Sequence, residues 1–287
     1  MYDFIIIKNG KEFVFYGAFQ SGLFYSTDLG ATWKKISMPF NNLFTSKVNC
    51  FQQGGNIKIV AASAGFFICS EDLGNTWSFL PIHIPIPYVT DILFSIDHDR
   101  SGIAFASTLE DGVYVTKDFG KSWSAWNIGL VDHQVYCLAM DDHKVLYGGT
   151  TTGLVESKNG GRAWREVTLP IDFVPIYSIA IIKDEIYLGT EGKGIFYSSD
   201  LGNTWQVIFK NLEDVSVIGL QTDPSGVLIY TSNDIFLSRN KIDLIELNIN
   251  YPDDPYIVKC VSPNGLRSHD PVFIGLSNGA FLKTLIP

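Results

Sequence analysis

Five copies of one eight-residue box run through this chain. They read Ser26-Thr-Asp28-Leu-Gly30-Ala-Thr-Trp33, Ser70-Glu-Asp72-Leu-Gly74-Asn-Thr-Trp77, Thr116-Lys-Asp118-Phe-Gly120-Lys-Ser-Trp123, Ser157-Lys-Asn159-Gly-Gly161-Arg-Ala-Trp164 and Ser198-Ser-Asp200-Leu-Gly202-Asn-Thr-Trp205. Of the 6 tryptophans in the sequence, all but Trp126 fall inside them. A repeat of roughly 40 residues constrains the fold before any local assignment, because a unit that short cannot bury its own apolar face and must stack on its neighbours.

Aligning outward from the box adds two degenerate copies, so its first position recurs at Ser26, Ser70, Thr116, Ser157, Ser198, Ser238 and Lys283. Each unit carries four short β-like runs separated by turn residues. The fourth unit shows them most cleanly, at 135–140, 144–148, 153–157 and 163–167. Short strands joined by Gly, Asn and Asp turns and repeated in fours predict an all-β, seven-bladed β-propeller. It spans 1–287 as one domain, with blades near 2–40, 46–81, 88–128, 133–169, 174–212, 214–250 and 254–287. The run at 2–7 already serves as a first strand, and the last unit stops at its third. The final blade is therefore expected to be three-stranded, with the ring closed by face packing and an uncovered edge open to a second copy or another partner.

Within the box, Ser and Asp side chains can accept turn N–H groups, Gly supplies positive φ, and Trp carries a large ring to bury. The residues of all five boxes are expected to be structural. They resemble the Asp-box, or BNR, repeat shared by sialidases, xyloglucan-degrading propellers, sortilin-type receptors and photosystem assembly factors. The stretch from Leu146 to Ser157, with its Gly-Gly-Thr-Thr-Thr-Gly core, is similar to that repeat as well. The resemblance covers nearly the whole chain and implies the propeller; it implies no single activity, since one scaffold hosts hydrolases, receptors and assembly factors.

A formal net charge of −9 argues against a phosphate-binding face, so no nucleic-acid partner is expected. The N-terminus lacks the basic start and apolar core of a signal peptide, which reads as cytoplasmic or already processed, and no stretch is long and apolar enough to span a membrane. Cys50, Cys69, Cys137 and Cys260 show neither a C-x-x-C pair nor a zinc spacing and are read as free, buried thiols. No metal and no cofactor is expected. The segment Asp97-His-Asp99-Arg-Ser101-Gly102 resembles half of a calcium loop, but Thr108 stands where the bidentate Glu belongs, so it reads as a turn.

In such a ring, connections from fourth to first strands and from second to third share one face, opposite the boxes. The fourth-to-first connections are long, at 37–47, 79–90, 127–134, 168–175, 209–215 and 248–256, and a ligand is expected among them. A sialidase-type arginine clamp is not: Arg100, Arg162, Arg165, Arg239 and Arg267 all read as lying off this face, and the family's Arg-Ile-Pro start is missing. Glycoside cleavage needs two carboxylates about 5 to 10 Å apart. The carboxylates available are Asp91, Glu110, Asp111, Asp172, Glu191 and Asp214, with Asp91 and either Glu110 or Asp111 the first pairing to test. Tyr88, Tyr136 and Tyr177, at the starts of first strands, could stack on a sugar, anchor a peptide or pack between blades; His133 and Lys259 lie near the same rim. The expected function is a non-catalytic module that holds a protein or a carbohydrate. A glycoside hydrolase with paired carboxylates is the alternative, and an assembly factor the second.

Overall fold

The computed structural model describes residues 3–9, 12–19, 22–28, 30–37, 44–53, 56–63, 66–72, 74–81, 88–94, 102–118, 120, 122–249, 251, 257–263, 265–278 and 281–287. Their strands form antiparallel meanders arranged in a ring, numbered here as sheets 1 to 7 in chain order. Sheets 1 to 6 have four strands each; sheet 7 has three, Val258–Pro263, Pro271–Leu276 and Phe281–Leu285. The complete four-stranded blades therefore number six, which corrects the count of seven. After Phe281–Leu285 the backbone continues alongside the second strand's start, where Ile286 donates to the Asp270 carbonyl and accepts from the His269 N–H, so Ile286 extends the third strand's pairing and forms no fourth strand.

Strand positions follow local chemistry. In sheet 4 the strands are Val135–Met140, Leu146–Thr150, Leu154–Ser157 and Arg165–Val167. The second starts two residues later than the sequence pattern suggests because Asp141 claims the turn: its Oδ1 accepts the N–H groups of His143 (2.9 Å) and Val145 (2.8 Å).

The first strands of the sheets are Asp3–Asn9, Thr45–Gln53, Val89–Phe94, Val135–Met140, Ile176–Ile182, Gly219–Asp223 and Val258–Pro263. All seven line one central cavity, so each turns an unpaired edge toward the channel. Exposed edge groups need partners, and side chains of adjacent sheets supply them. Asn49 Nδ2 donates to the Ile92 carbonyl (2.6 Å), Thr90 Oγ1 to Val135 (2.5 Å) and Gln221 Nε2 to Val261 (2.7 Å). These bonds set the register of one sheet against the next.

Between sheets lie apolar clusters shared by neighbours, such as Leu23, Ile36, Val48 and Ile59 between sheets 1 and 2. The ring closes by face packing, as expected. Phe4 packs with Cys260 and Phe273, and Trp33 meets Phe281 edge-on at 5.4 Å. Strand Asp3–Asn9 pairs with Glu12–Phe19 of its own sheet.

Each box is a turn held chiefly by its own side chains. In the fifth, Ser198 Oγ donates to Asp200 Oδ1 (2.8 Å) and accepts the Gly202 N–H (2.8 Å), while Asp200 accepts the Thr204 N–H (2.8 Å) and hydroxyl (2.7 Å). Gly202 sits at φ 86°, where a side chain would be strained. These bonds to the charged form pull Asp200 and Asp28 down to about 2, the Thr204 and Thr32 hydroxyls contributing most. The tryptophan packs against the preceding sheet: Trp123 stacks on Phe67 at 4.4 Å and donates to the Gly120 carbonyl (3.1 Å). All four cysteines are unpaired; Cys50 is half-buried rather than buried. No helix among the described residues is long and apolar enough to cross a membrane.

Candidate functional site: the channel mouth

One register position, repeated around the ring, builds the channel wall. Just inside the start of the first strands stand Lys47, Asp91, Cys137, Ser178 and Cys260, paired with Ala62, Ser107, Gly149, Gly189 and Gly275 of the second strands. Every second-strand partner is small because the first-strand side chain leans over it: a Cβ on Gly149 would come within 2.6 Å of Cys137 Sγ, and one on Gly189 within 2.3 Å of Ser178 Oγ. Sheet 6 reverses the sizes. Gly219 occupies the first strand, and the Tyr230 ring of the second fills the space its Cβ would need, 1.7 Å away.

Lys47 is the electrostatic centre of this wall. Its Nζ lies 3.6 Å from Asp3 Oδ2 and 3.4 Å from Asp91 Oδ1. Asp3 also accepts the Val48 N–H (3.1 Å), and Asp91 accepts those of Ile92 (2.9 Å) and Leu138 (3.0 Å). The chain of contacts ties sheets 1 to 4 together. Burial opposes the lysine charge, but the two carboxylates hold the ammonium and raise its pKa; burial pushes Asp3 up against the pull of Lys47. Burial likewise raises the thiols of Cys137 and Cys260, keeping them protonated.

Just before that position, five first strands carry a bulge, which leaves Ser46, Thr90, Tyr136, Tyr177 and Lys259 out of the pairing. A bulge re-aims its side chain, and these five ring the cavity, whose volume is about 540 Å³. Tyr136 and Tyr177 meet edge to face at 5.1 Å and 83°. Burial above all, and then the neighbouring Glu191 carboxylate, raise the pKa of the Tyr177 hydroxyl. Tyr136 accepts from Thr151 Oγ1 (3.4 Å), which also reaches Gln134 Oε1 (3.0 Å). Beneath them, Ser178 is 8% exposed and its Oγ has no hydrogen-bond partner.

The other residues singled out from the sequence are spread over this face. Tyr88 is 49% exposed and packs edge-on against Phe44. Its carbonyl accepts the Leu109 N–H (3.1 Å), which joins the two kinds of connection on one face. Glu110 is exposed, whereas Asp111 is half-buried, with its carbonyl held by Asn127 Nδ2 (2.7 Å). His133, Asp172, Asp214 and Lys259 are exposed. Asp91 faces the channel and Lys47, while Glu110 and Asp111 lie in the connection beyond the strand end. Parts of the loops, including 38–43, 82–87 and 252–256, lie outside the described residues, as do Asp97 to Ser101 of the calcium-like segment. Among the described residues no three His, Cys, Asp or Glu side chains gather as a metal site. Sequence reasoning missed Asp3, Lys47, Ser178 and Tyr230; the available signal was a charge at the same strand position in three successive repeats.

The fold and its boxes define a BNR-type β-propeller. The BNR/Asp-box repeat family matches residues 24–35. No curated protein matches the sequence. Among solved structures, YCF48 bound to a D1 peptide is similar over 99% of this chain and 92% of its own, with 19% identity and a TM-score of 0.72. The extracellular domain of the putative one component system BT4673 from B. thetaiotaomicron is similar over 97% of this chain but 37% of its own, with 14% identity and a TM-score of 0.72. A GH74 xyloglucanase from Xanthomonas campestris matches 98% of this chain with 51% of its own, at 10% identity and a TM-score of 0.68. These likenesses establish the fold; the chain spans about half of the xyloglucanase.

Proposed function

We propose that this propeller is a non-catalytic binding module whose loop-rich face holds a peptide segment of another protein. The observation that carries the reading is the state of Asp91. A general acid or nucleophile must be free to exchange a proton or attack, but Asp91 is engaged by Lys47 and two backbone N–H groups. Its intended partners, Glu110 and Asp111, lie in the connection beyond the strand end, Glu110 exposed and Asp111 half-buried. The tyrosine-rimmed mouth, by contrast, offers a built surface, and the YCF48 fold relative is seen with a peptide.

The test sets a peptide array beside a glycan array and a panel of chromogenic glycosides. Peptide binding without glycoside turnover is expected. Cleavage that survives purification and is abolished by Asp91→Asn, Glu110→Gln or Asp111→Asn, with fold retained, would install the glycoside-hydrolase reading instead; binding confined to glycans would make the module a carbohydrate binder. The same proposal gives the outer edge of Phe281–Leu285, the last strand of its sheet among the described residues, to a second copy of the chain. Light scattering at rising concentration checks this, and a monomer throughout removes it.

A further inference from the structure

Resting on the peptide-binding reading, we infer that the corner formed by Tyr136, Tyr177 and the Glu191 carboxylate receives a cationic side chain, lysine or arginine, from the bound peptide. Two aromatic rings at 83° with centroids 5.1 Å apart meet edge to face, and the ring that presents its edge keeps its own faces clear of its partner. The faces of such rings carry negative quadrupole potential and attract ammonium or guanidinium groups. The Glu191 carboxylate adjoins the Tyr177 hydroxyl. Its backbone N–H donates to the Pro175 carbonyl (3.0 Å), which anchors it beside the rings.

The corner is built rather than incidental. Both tyrosines occupy the bulged position of their strands, so the backbone is distorted at the place that turns them toward the mouth. Thr151 supports the Tyr136 hydroxyl. Below the rings, the unpartnered Ser178 Oγ, more than nine-tenths buried, lines the same cavity.

Local charge favours a cation over a neutral sugar. The connections around the corner carry Asp132, Asp172 and Glu191 against Lys193. Lys47 does not reverse the balance, because its ammonium is held between the Asp3 and Asp91 carboxylates. Exposed Lys259 is the one cation among the five bulged residues. The apolar side chains of Phe173, 82% exposed, and Val131, 80% exposed, stand on the flanking loops and would pack against the rest of the peptide.

The experiment uses the full chain, a randomised peptide array, and tetramethylammonium chloride as the minimal cationic probe. Array binders should prefer lysine or arginine at one position. Exchanging that residue for norleucine in a selected peptide should weaken binding by about 2- to 30-fold, the range expected for a cation held by aromatic faces. Tyr136→Leu and Tyr177→Leu should produce a comparable loss, and Glu191→Gln about threefold or more. Tyr177→Phe keeps the ring and should stay within about threefold of the parent, which separates ring contact from a general structural effect; unfolding curves confirm that each variant folds. Tetramethylammonium should shift the NMR resonances of Tyr136 and Tyr177. If peptides bind without cation preference, or the tyrosine and Glu191 variants bind as the parent does, this inference falls and the peptide-binding reading stands. If only glycans bind, both fall. An array without binders, together with tyrosine resonances unmoved by tetramethylammonium, overturns the inference as well.

Discussion

Replacing Lys47 by alanine should reveal how much the ring depends on the cation held between Asp3 and Asp91. The ammonium lies 3.4 and 3.6 Å from two carboxylates, and the three side chains are 27%, 15% and 19% exposed. At an effective dielectric constant of about 20 each attraction amounts to about 5 kcal/mol. Desolvation of the ammonium and repulsion between Asp3 and Asp91 return several kcal/mol of that gain. Removing the cation alone leaves two partly buried carboxylates facing each other, for which a net loss of about 3 to 5 kcal/mol is expected at pH 7. Urea unfolding should show it as a lower midpoint with unchanged slope. The pH dependence has a definite sign. Without Lys47 the folded-state pKa of Asp3 moves further above its unfolded value, so the deficit is full above that folded pKa and shrinks as pH falls through it. Lys47→Met combined with Asp3→Asn and Asp91→Asn should recover much of the loss, because the Asn oxygens can still accept the Val48 and Leu138 N–H groups. A loss below about 1 kcal/mol for Lys47→Ala, or one that does not vary with pH, would refute the assignment of Lys47 as the brace.

Trp123→Ala removes the ring stacked on Phe67 and should cost about 3 kcal/mol in urea unfolding, with ligand affinity per folded molecule unchanged. Gly219→Ala puts a Cβ 1.7 Å from the Tyr230 ring and should destabilise by about 2 kcal/mol or more; adding Tyr230→Leu should restore part of it, as thermal unfolding of the single and double variants would show. Asp28 and Asp200 should titrate in carbon NMR near pH 2, well below the ordinary 3.8. Because their folded pKa values are depressed, their contribution to stability is complete above the unfolded value and is lost as pH falls through about 2, whereas Ser26→Ala and Ser198→Ala should raise both the titration midpoint and the pH of acid unfolding.

The box was legible in the sequence because the side-chain hydrogen bonds of its turn close within eight residues: Ser198, Asp200, Gly202 and Thr204 satisfy one another. The same holds for the meanders, whose strands pair with their sequence neighbours. The channel is a different kind of object. Asp3, Lys47 and Asp91 come from three successive repeats and meet only where the ring brings their first strands side by side. Read alone, Asp91 was a loop-face carboxylate available for acid chemistry; in the ring it is a partner of Lys47 and of the next sheet's backbone. The bulges were invisible for a similar reason, since Ser46, Thr90, Tyr136, Tyr177 and Lys259 share no residue type. What they share is a backbone displacement imposed where the first strand enters the channel, and that leaves their identities free to differ. A scaffold whose structural residues repeat while its mouth residues vary separates stability from recognition. It follows that substitutions in the boxes should move the unfolding midpoint, and substitutions at the five bulges should move the choice of ligand.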